Sequence, residues 1–382
     1  MLARILFLHH TAIIGGAELH LLSIARHFRE TSTVVLFADG PFRHALETAG
    51  VQTCVFSSKW AARGVRLGGP RFSASNIAGV MRLAWLIARA ARDADLVYAN
   101  SPKALLIASV VHLVRRKPVF WFLHDLLDET HFSARSIRLL VRAANRTAAR
   151  VLANSSASAT AYVAAGGRGD LVRVVYNGVD AARFAEDNTN LASTRADLEL
   201  NNAPLIGVFG RITPWKGQDV VIRALAHVPS AAALFVGDEE DAGYANELRL
   251  LATNLRVAER VRFLGFRGDV PQLMRMVDCI VHPAKDPEPF GRVVVEGMIA
   301  RRPVIATRAG GVPEIIEDGT TGILVSVGNS DELAAGINRI LSDPAEAARL
   351  ANNGHARALE LFNEERMFRE IEQNVNEFAH RR

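Results

Sequence analysis

The 382-residue chain is 49% hydrophobic and 22% charged, with 28 Gly, 14 Pro and only 2 Cys. That composition excludes a disordered polymer, a collagen-like repeat and a disulfide-stapled miniprotein, and its length suggests two domains. The net charge of +5 hides an asymmetry: residues 1–180 hold 22 Lys/Arg and 11 Asp/Glu, and the remainder 23 and 29, so the two halves are expected to meet different partners.

In chain order, short apolar or β-branched runs at 5–9, 33–37, 51–56, 96–99, 119–123 and 150–153 predict strands, and amphipathic stretches at 17–29, 75–91 and 133–148 predict helices between them. A turn-rich stretch, Tyr176-Asn177-Gly178-Val179-Asp180, and a polar run at 185–203 interrupt the pattern. It then resumes with strands at 205–209, 232–236, 261–264, 279–282, 304–306 and 322–325. Helices at 344–361 and 364–378 close the chain, with Pro344 near a helix start. The alternation predicts an α/β protein of two Rossmann-like, doubly wound parallel sheets. Such sheets bind ligands at the carboxyl ends of their strands, and two facing sheets would hold one in the cleft between them.

The first strand stops at His9-His10 without the apolar length or cleavage site of a signal peptide, so a cytoplasmic location is expected. Cys54 and Cys279 lie in strand-like runs and are expected to be reduced, buried thiols. Nowhere do about eighteen apolar residues run without a charge; the 104–114 run is too short and carries His112. Between residues 59 and 92 every charged side chain is basic: Lys59, Arg63, Arg66, Arg71, Arg82, Arg89 and Arg92, interleaved with Trp60, Leu67, Phe72, Trp85 and Leu86. Such a stretch suits peripheral contact with an anionic membrane, or is a solvated basic face. No nucleic-acid module accompanies it.

Gly15-Gly16-Ala17-Glu18 follows the first strand, where glycines let a backbone approach a ligand at a helix N-terminus. It is not G-x-G-x-x-G, so a dinucleotide site loses its main support. Gly210-Arg211-Ile212-Thr213-Pro214-Trp215-Lys216-Gly217 opens the second half and sets two cations around a Pro-braced bend, able to converge on a diphosphate. In Glu288-Pro289-Phe290-Gly291-Arg292-Val293-Val294-Val295-Glu296 two carboxylates would stand about 12 Å apart on a continuous helix, beyond the roughly 5–9.5 Å of a glycosidase pair. Pro289 and Gly291 instead predict Glu288 on a loop and Glu296 on the next helix, both binding hydroxyls of one molecule. Thr307-Arg308-Ala309-Gly310-Gly311-Val312-Pro313-Glu314 adds another Gly turn after a strand.

These motifs, in this order, resemble the retaining nucleotide-sugar glycosyltransferases of family 4, which have the GT-B fold, over nearly the whole chain. Asn177-Gly178-Val179-Asp180 and Val261-Arg262-Phe263-Leu264-Gly265 extend the resemblance. It implies an acceptor-binding domain over 1–178, a nucleotide-sugar domain over 179–363, a final helix (364–382) crossing back to the first, and closure on the donor. It implies that Arg211 and Lys216 clamp the diphosphate and that Glu288 and His124 meet the donor sugar. Glu296 would hold the ribose, Phe290 and Gly291 would offer backbone N–H groups, Gly15 and Gly16 would close the first loop over the diphosphate, and Phe266 and Arg267 would lie near the base. The implied reaction moves a sugar from a UDP- or GDP-sugar to a glycan or lipid-linked acceptor in bacterial polysaccharide or glycolipid assembly. Attack comes from the face the nucleotide leaves, with no metal and no cofactor.

A soluble small-molecule acceptor, or a non-catalytic sugar or nucleotide binder, are the alternatives. Three departures stand out. Gly297 sits where the family usually has Ala, Arg302 where it often has Gly, and the acidic Asp238-Glu239-Glu240-Asp241 where it has a Gly-Pro-rich turn. Asp93-Ala94-Asp95 mimics a metal-binding Asp-x-Asp but reads as a solvated turn.

Overall fold

Apolar runs that are buried on both faces form parallel strands covered by helices, and the chain makes two such sheets. The computed structural model describes residues 3–57, 74–185, 195, 198 and 203–379. Lys59, Arg63, Arg66 and Arg71 lie outside the described residues. The chain divides into two units, Met1–Gly178 with Glu364–Arg382, and Val179–Asn363.

The first unit holds seven strands: β1 (Ile5–His9), β2 (Ser32–Leu36), β3 (Gln52–Val55), β4 (Leu96–Ala99), β5 (Val119–Leu123), β6 (Ala148–Ala153) and β7 (Val172–Val174). Their spatial order is β3-β2-β1-β4-β5-β6-β7, parallel throughout. The chain therefore reverses direction across the sheet between β1 and β4, and the crevice at their carboxyl ends is the place such folds put ligands. Alternation along β1 sends Leu6 and Leu8 into the core beneath helices Ala74–Ala90, Pro102–Arg115 and Ala134–Thr147. Ile5 and Phe7 enter the opposite core. There, Met367, Ile371 and Val375, spaced one turn apart on helix Glu364–Ala379, join them. That helix is also tied down by Arg26 to Glu364 at 3.4 Å and His27 to Glu372 at 2.7 Å.

The second unit holds β8 (Leu205–Phe209), β9 (Ala232–Val236), β10 (Val261–Phe263), β11 (Cys279–His282), β12 (Val304–Thr307) and β13 (Ile323–Val325), in the order β10-β9-β8-β11-β12-β13. Its switch point falls between β8 and β11.

The short strand β7 was not foreseen, since Val172-Arg173-Val174 is too brief to give a pattern. Cys54 departs from the expected burial: it is only half-buried because β3 is the edge strand of its sheet. Cys279, in the interior strand β11, is buried, which pushes its thiol up to about 12. Asp95 accepts the Arg4 backbone N–H at 3.0 Å in the turn before β4. At Gly297 an added Cβ would lie 2.9 Å from Ile280 Cδ1 and 3.1 Å from Val304 Cγ2, so this helix rides close on its sheet where the departure to Gly occurs.

Candidate functional site

In the second unit the chain leaves β8 through Gly210, whose φ of 131° suits glycine, passes a 3-10 turn at Pro214–Lys216 and enters helix Gln218–Leu225. Gly217 (φ 72°) presses on the loop after β11: a Cβ there would fall 2.1 Å from the Pro283 carbonyl oxygen. This approach delivers the Lys216 ammonium to the carboxylate of Glu288. His282 Nε2, at the end of β11, lies 3.3 Å from the same Glu288 oxygen, and the ammonium sits 4.3 Å from the Trp215 ring centroid. Burial pushes the Glu288 carboxyl up, but the Lys216 charge and His282 outweigh it and hold the group well below the usual carboxylate range. Gly310 (φ 60°) completes the contact, because a Cβ would stand 2.0 Å from the Glu288 carbonyl oxygen. The same oxygen accepts the Gly311 N–H at 2.8 Å. Three motifs far apart in sequence thus meet at Glu288.

Arg211 leaves the same turn in another direction. Its Nη1 donates to Glu240 Oε2 at 2.6 Å, and its own carbonyl accepts Gln218 Nε2 at 2.9 Å. The guanidinium is half exposed. Glu288 lies on a loop and Glu296 on helix Arg292–Ile299. Each carboxylate has its own cation: Arg292 Nε donates to Glu296 Oε1 at 2.8 Å. Arg292 was not singled out in the sequence, although its i,i+4 spacing to Glu296 was the available signal.

Gly291 (φ 111°) caps that helix. Phe290 is buried with its ring 5.7 Å from that of Phe362. Phe266 is 78% exposed. The fork of Arg267 is spent on Asp269, at 2.8 and 2.6 Å.

The first unit carries a cavity of about 590 Å³ at the carboxyl ends of β1, β4 and β5, lined by His9, Glu18, Asn100, Lys103, His124 and Asp125 among others. Gly15 caps helix Gly16–His27, and a Cβ on it would come within 2.9 Å of Glu18 Oε2. At Gly16, among the described residues, nothing beyond its chain neighbours and its own helix backbone stands within 4 Å of the corresponding point. Glu18 Oε1 meets His9 Nε2 at 2.6 Å. Burial opposes ionisation of Glu18, yet the His9 bond keeps its carboxyl below the ordinary value. His124 Nε2 meets Asn100 Oδ1 at 2.9 Å. Burial, helped by His9, lowers His124 to about 3, and burial raises Asp125 to about 6. His9 and Asn100 were not singled out as site residues. Their signal was positional: a polar residue at the end of an apolar strand, beside the switch point.

Residues 14–183 match the family described as Glycosyltransferase Family 4, and residues 192–357 that described as Glycosyl transferases group 1. The structure of Anabaena HepE in complex with UDP-glucose is 38% identical to this chain, with a TM-score of 0.90 over 98% of this chain and 100% of that one. The lipopolysaccharide core biosynthesis glycosyltransferase LpsE of Rhizobium meliloti is 31% identical over 194 residues, 51% of this chain and 54% of LpsE. A D-inositol 3-phosphate glycosyltransferase of Mycobacterium marinum is 35% identical over 180 residues, 46% of this chain and 38% of that enzyme. The chain thus spans about half the length, or less, of these curated relatives. The two parallel-sheet units define the GT-B fold of the glycosyltransferases. The chain belongs to glycosyltransferase family 4.

Proposed function

We propose that the protein transfers a sugar, with retention, from a UDP- or GDP-sugar to a glycan or lipid-linked acceptor in polysaccharide or glycolipid assembly. The observation that carries this reading is the convergence of Lys216, His282 and Gly310 on Glu288, with Arg211 in the same turn. In this reading the donor diphosphate recruits Arg211 and Lys216, Glu288 and His124 hold sugar hydroxyls, and Glu296 holds the ribose. Gly15, Gly16, Phe290 and Gly291 contribute backbone contacts, and the first unit's cavity takes the acceptor. The bond from the anomeric carbon to the diphosphate breaks, the acceptor oxygen bonds that carbon on the same face, and the leaving phosphate oxygen takes the acceptor proton. Lys216, and Arg211 once drawn away from Glu240, would stabilise the charge that grows on the leaving group, so this reading calls for no metal. The likeness to HepE, solved with UDP-glucose, favours a UDP-sugar, and the name of LpsE a glycolipid acceptor. A thermal-shift panel of nucleotide sugars tests the donor, because a ligand of the native state alone stabilises by RT ln(1 + [L]/Kd). A rise with UDP-glucose that Arg211→Ala abolishes supports the reading; no response to any donor overturns it.

We place the acceptor side at an anionic lipid surface. Helices Ala74–Ala90, Pro102–Arg115 and Ala134–Thr147 cover one core of the first unit and contain no Asp or Glu. Their exposed residues include Met81, Arg82, Trp85 and Arg89, then Leu113, Val114 and Arg115, then Arg135, Arg138, Leu139, Arg142 and Arg146. Apolar side chains flanked by arginine suit a headgroup layer, each cation adding on the order of 1 kcal/mol. Among the described residues no helix is long and apolar enough to cross a membrane. Flotation with phosphatidylglycerol vesicles, lost with phosphatidylcholine and in an Arg138→Glu/Arg142→Glu variant, is the expected result; equal flotation of that variant refutes it.

A further inference from the structure

The hydrogen bonds in the first unit's cavity run in one direction, and a backbone carbonyl sets it. Asn100, wholly buried just after β4, points its Nδ2 at the Ala17 carbonyl oxygen (3.1 Å) and at His9 Nδ1 (3.2 Å). A carbonyl oxygen only accepts, so the atom facing it is the amide nitrogen, and both of that nitrogen's protons are spent. His9 Nδ1 must then be the bare nitrogen of its ring, and His9 Nε2 carries the proton donated to Glu18 at 2.6 Å. On the other side, Asn100 Oδ1 can only accept, so His124 Nε2 must donate to it across 2.9 Å. Glu18, His9, Asn100 and His124 form one chain from helix Gly16–His27 through β1 and β4 to the end of β5.

We infer that Asn100, backed by His9 and Glu18, is a positioning residue that locks His124 as the neutral Nε2–H tautomer, leaving Nδ1 as a fixed acceptor for a substrate hydroxyl. His124 lines the cavity, and its ring is also fixed edge-on to His20, with centroids 4.8 Å apart. A ring held this way accepts a proton-bearing hydroxyl and cannot serve as a general acid, and it discriminates against a substrate lacking that hydroxyl because the acceptor would be left unpaired. This rests on the reading of His124 as a substrate contact; the tautomer itself does not.

Nitrogen-15 NMR of the full-length chain labelled at histidine, with His124 assigned by its absence in His124→Gln, reads the tautomer at pH 7.5. The expected result is a pyrrole-like Nε2 and a pyridine-like Nδ1 in the wild type, and loss of the single tautomer in Asn100→Ala. A proton on Nδ1 in the wild type overturns the inference whether or not transfer is detected. In transfer assays Asn100→Ala should lower kcat/KM at least tenfold, and His124→Gln/Asn100→Ala should be no slower than His124→Gln alone. Losses that multiply would show Asn100 acting independently of His124 and would also overturn it. Circular dichroism and calorimetry confirm that Asn100→Ala is folded; if it is not, the wild-type spectrum still decides.

Discussion

Arg211 and Glu240 are joined at 2.6 Å, the first from the turn after β8 and the second from the acidic loop after β9. Three of the four acids that depart from the family's usual turn are structural partners: besides Glu240, Glu239 takes Arg249, and Asp241 caps helix Ala242–Asn254. Under the proposed function a donor diphosphate competes with Glu240 for Arg211. An exposed pair of this kind contributes at most about 1 kcal/mol, so Glu240→Gln should tighten UDP binding by about two- to fivefold in calorimetry. Unchanged affinity would show that the two do not compete.

Lys216→Ala should cost more than activity. Its ammonium neutralises the buried Glu288, and stranding a buried charge typically costs about 3–5 kcal/mol. Denaturant unfolding should show that loss, with much of it recovered in Lys216→Met/Glu288→Gln while transfer stays absent. A stable, inactive Lys216→Ala would mean the carboxylate finds another partner.

Asp125 gives a pH-dependent test. Its pKa rises from the ordinary 3.8 to about 6 through burial, so the unfolded chain releases this proton more readily and stability falls as pH climbs through that window, then levels off above it. Asp125→Asn removes the penalty. It should add up to about 3 kcal/mol at pH 7.5 and nothing near pH 3; a pH-independent gain would point to packing instead.

Gly310→Ala tests the meeting point of the motifs. The left-handed φ of 60° and the 2.0 Å approach to the Glu288 carbonyl leave no room for a methyl group. Destabilisation of at least about 2 kcal/mol is expected, with a parallel loss of donor binding in the thermal-shift assay. Wild-type stability would contradict the packing.

The runs at 5–9, 96–99, 119–123, 205–209, 232–236 and 279–282 are strands to the residue, because an apolar run buried on both faces is written continuously in a parallel sheet. The order of the glycine and charge motifs was legible for the same reason: each follows a strand. Which cation would meet which acid was not. Lys216 reaches Glu288 across 72 residues, Arg211 turns instead to Glu240 across 29, and Asn100 joins His9 across 91. Those partners are chosen by strand order, with β1 beside β4 and β8 beside β11 at the two switch points and β9 beside β8 for Arg211 and Glu240, and strand order is a property of the assembled sheet. The same holds for the cysteines: similar apolar runs surround both, but only the folded sheet puts Cys54 on an edge strand and Cys279 in the interior. Local chemistry wrote the elements and their turns; packing decided which charges were buried together, because burial is what makes their pairing obligatory.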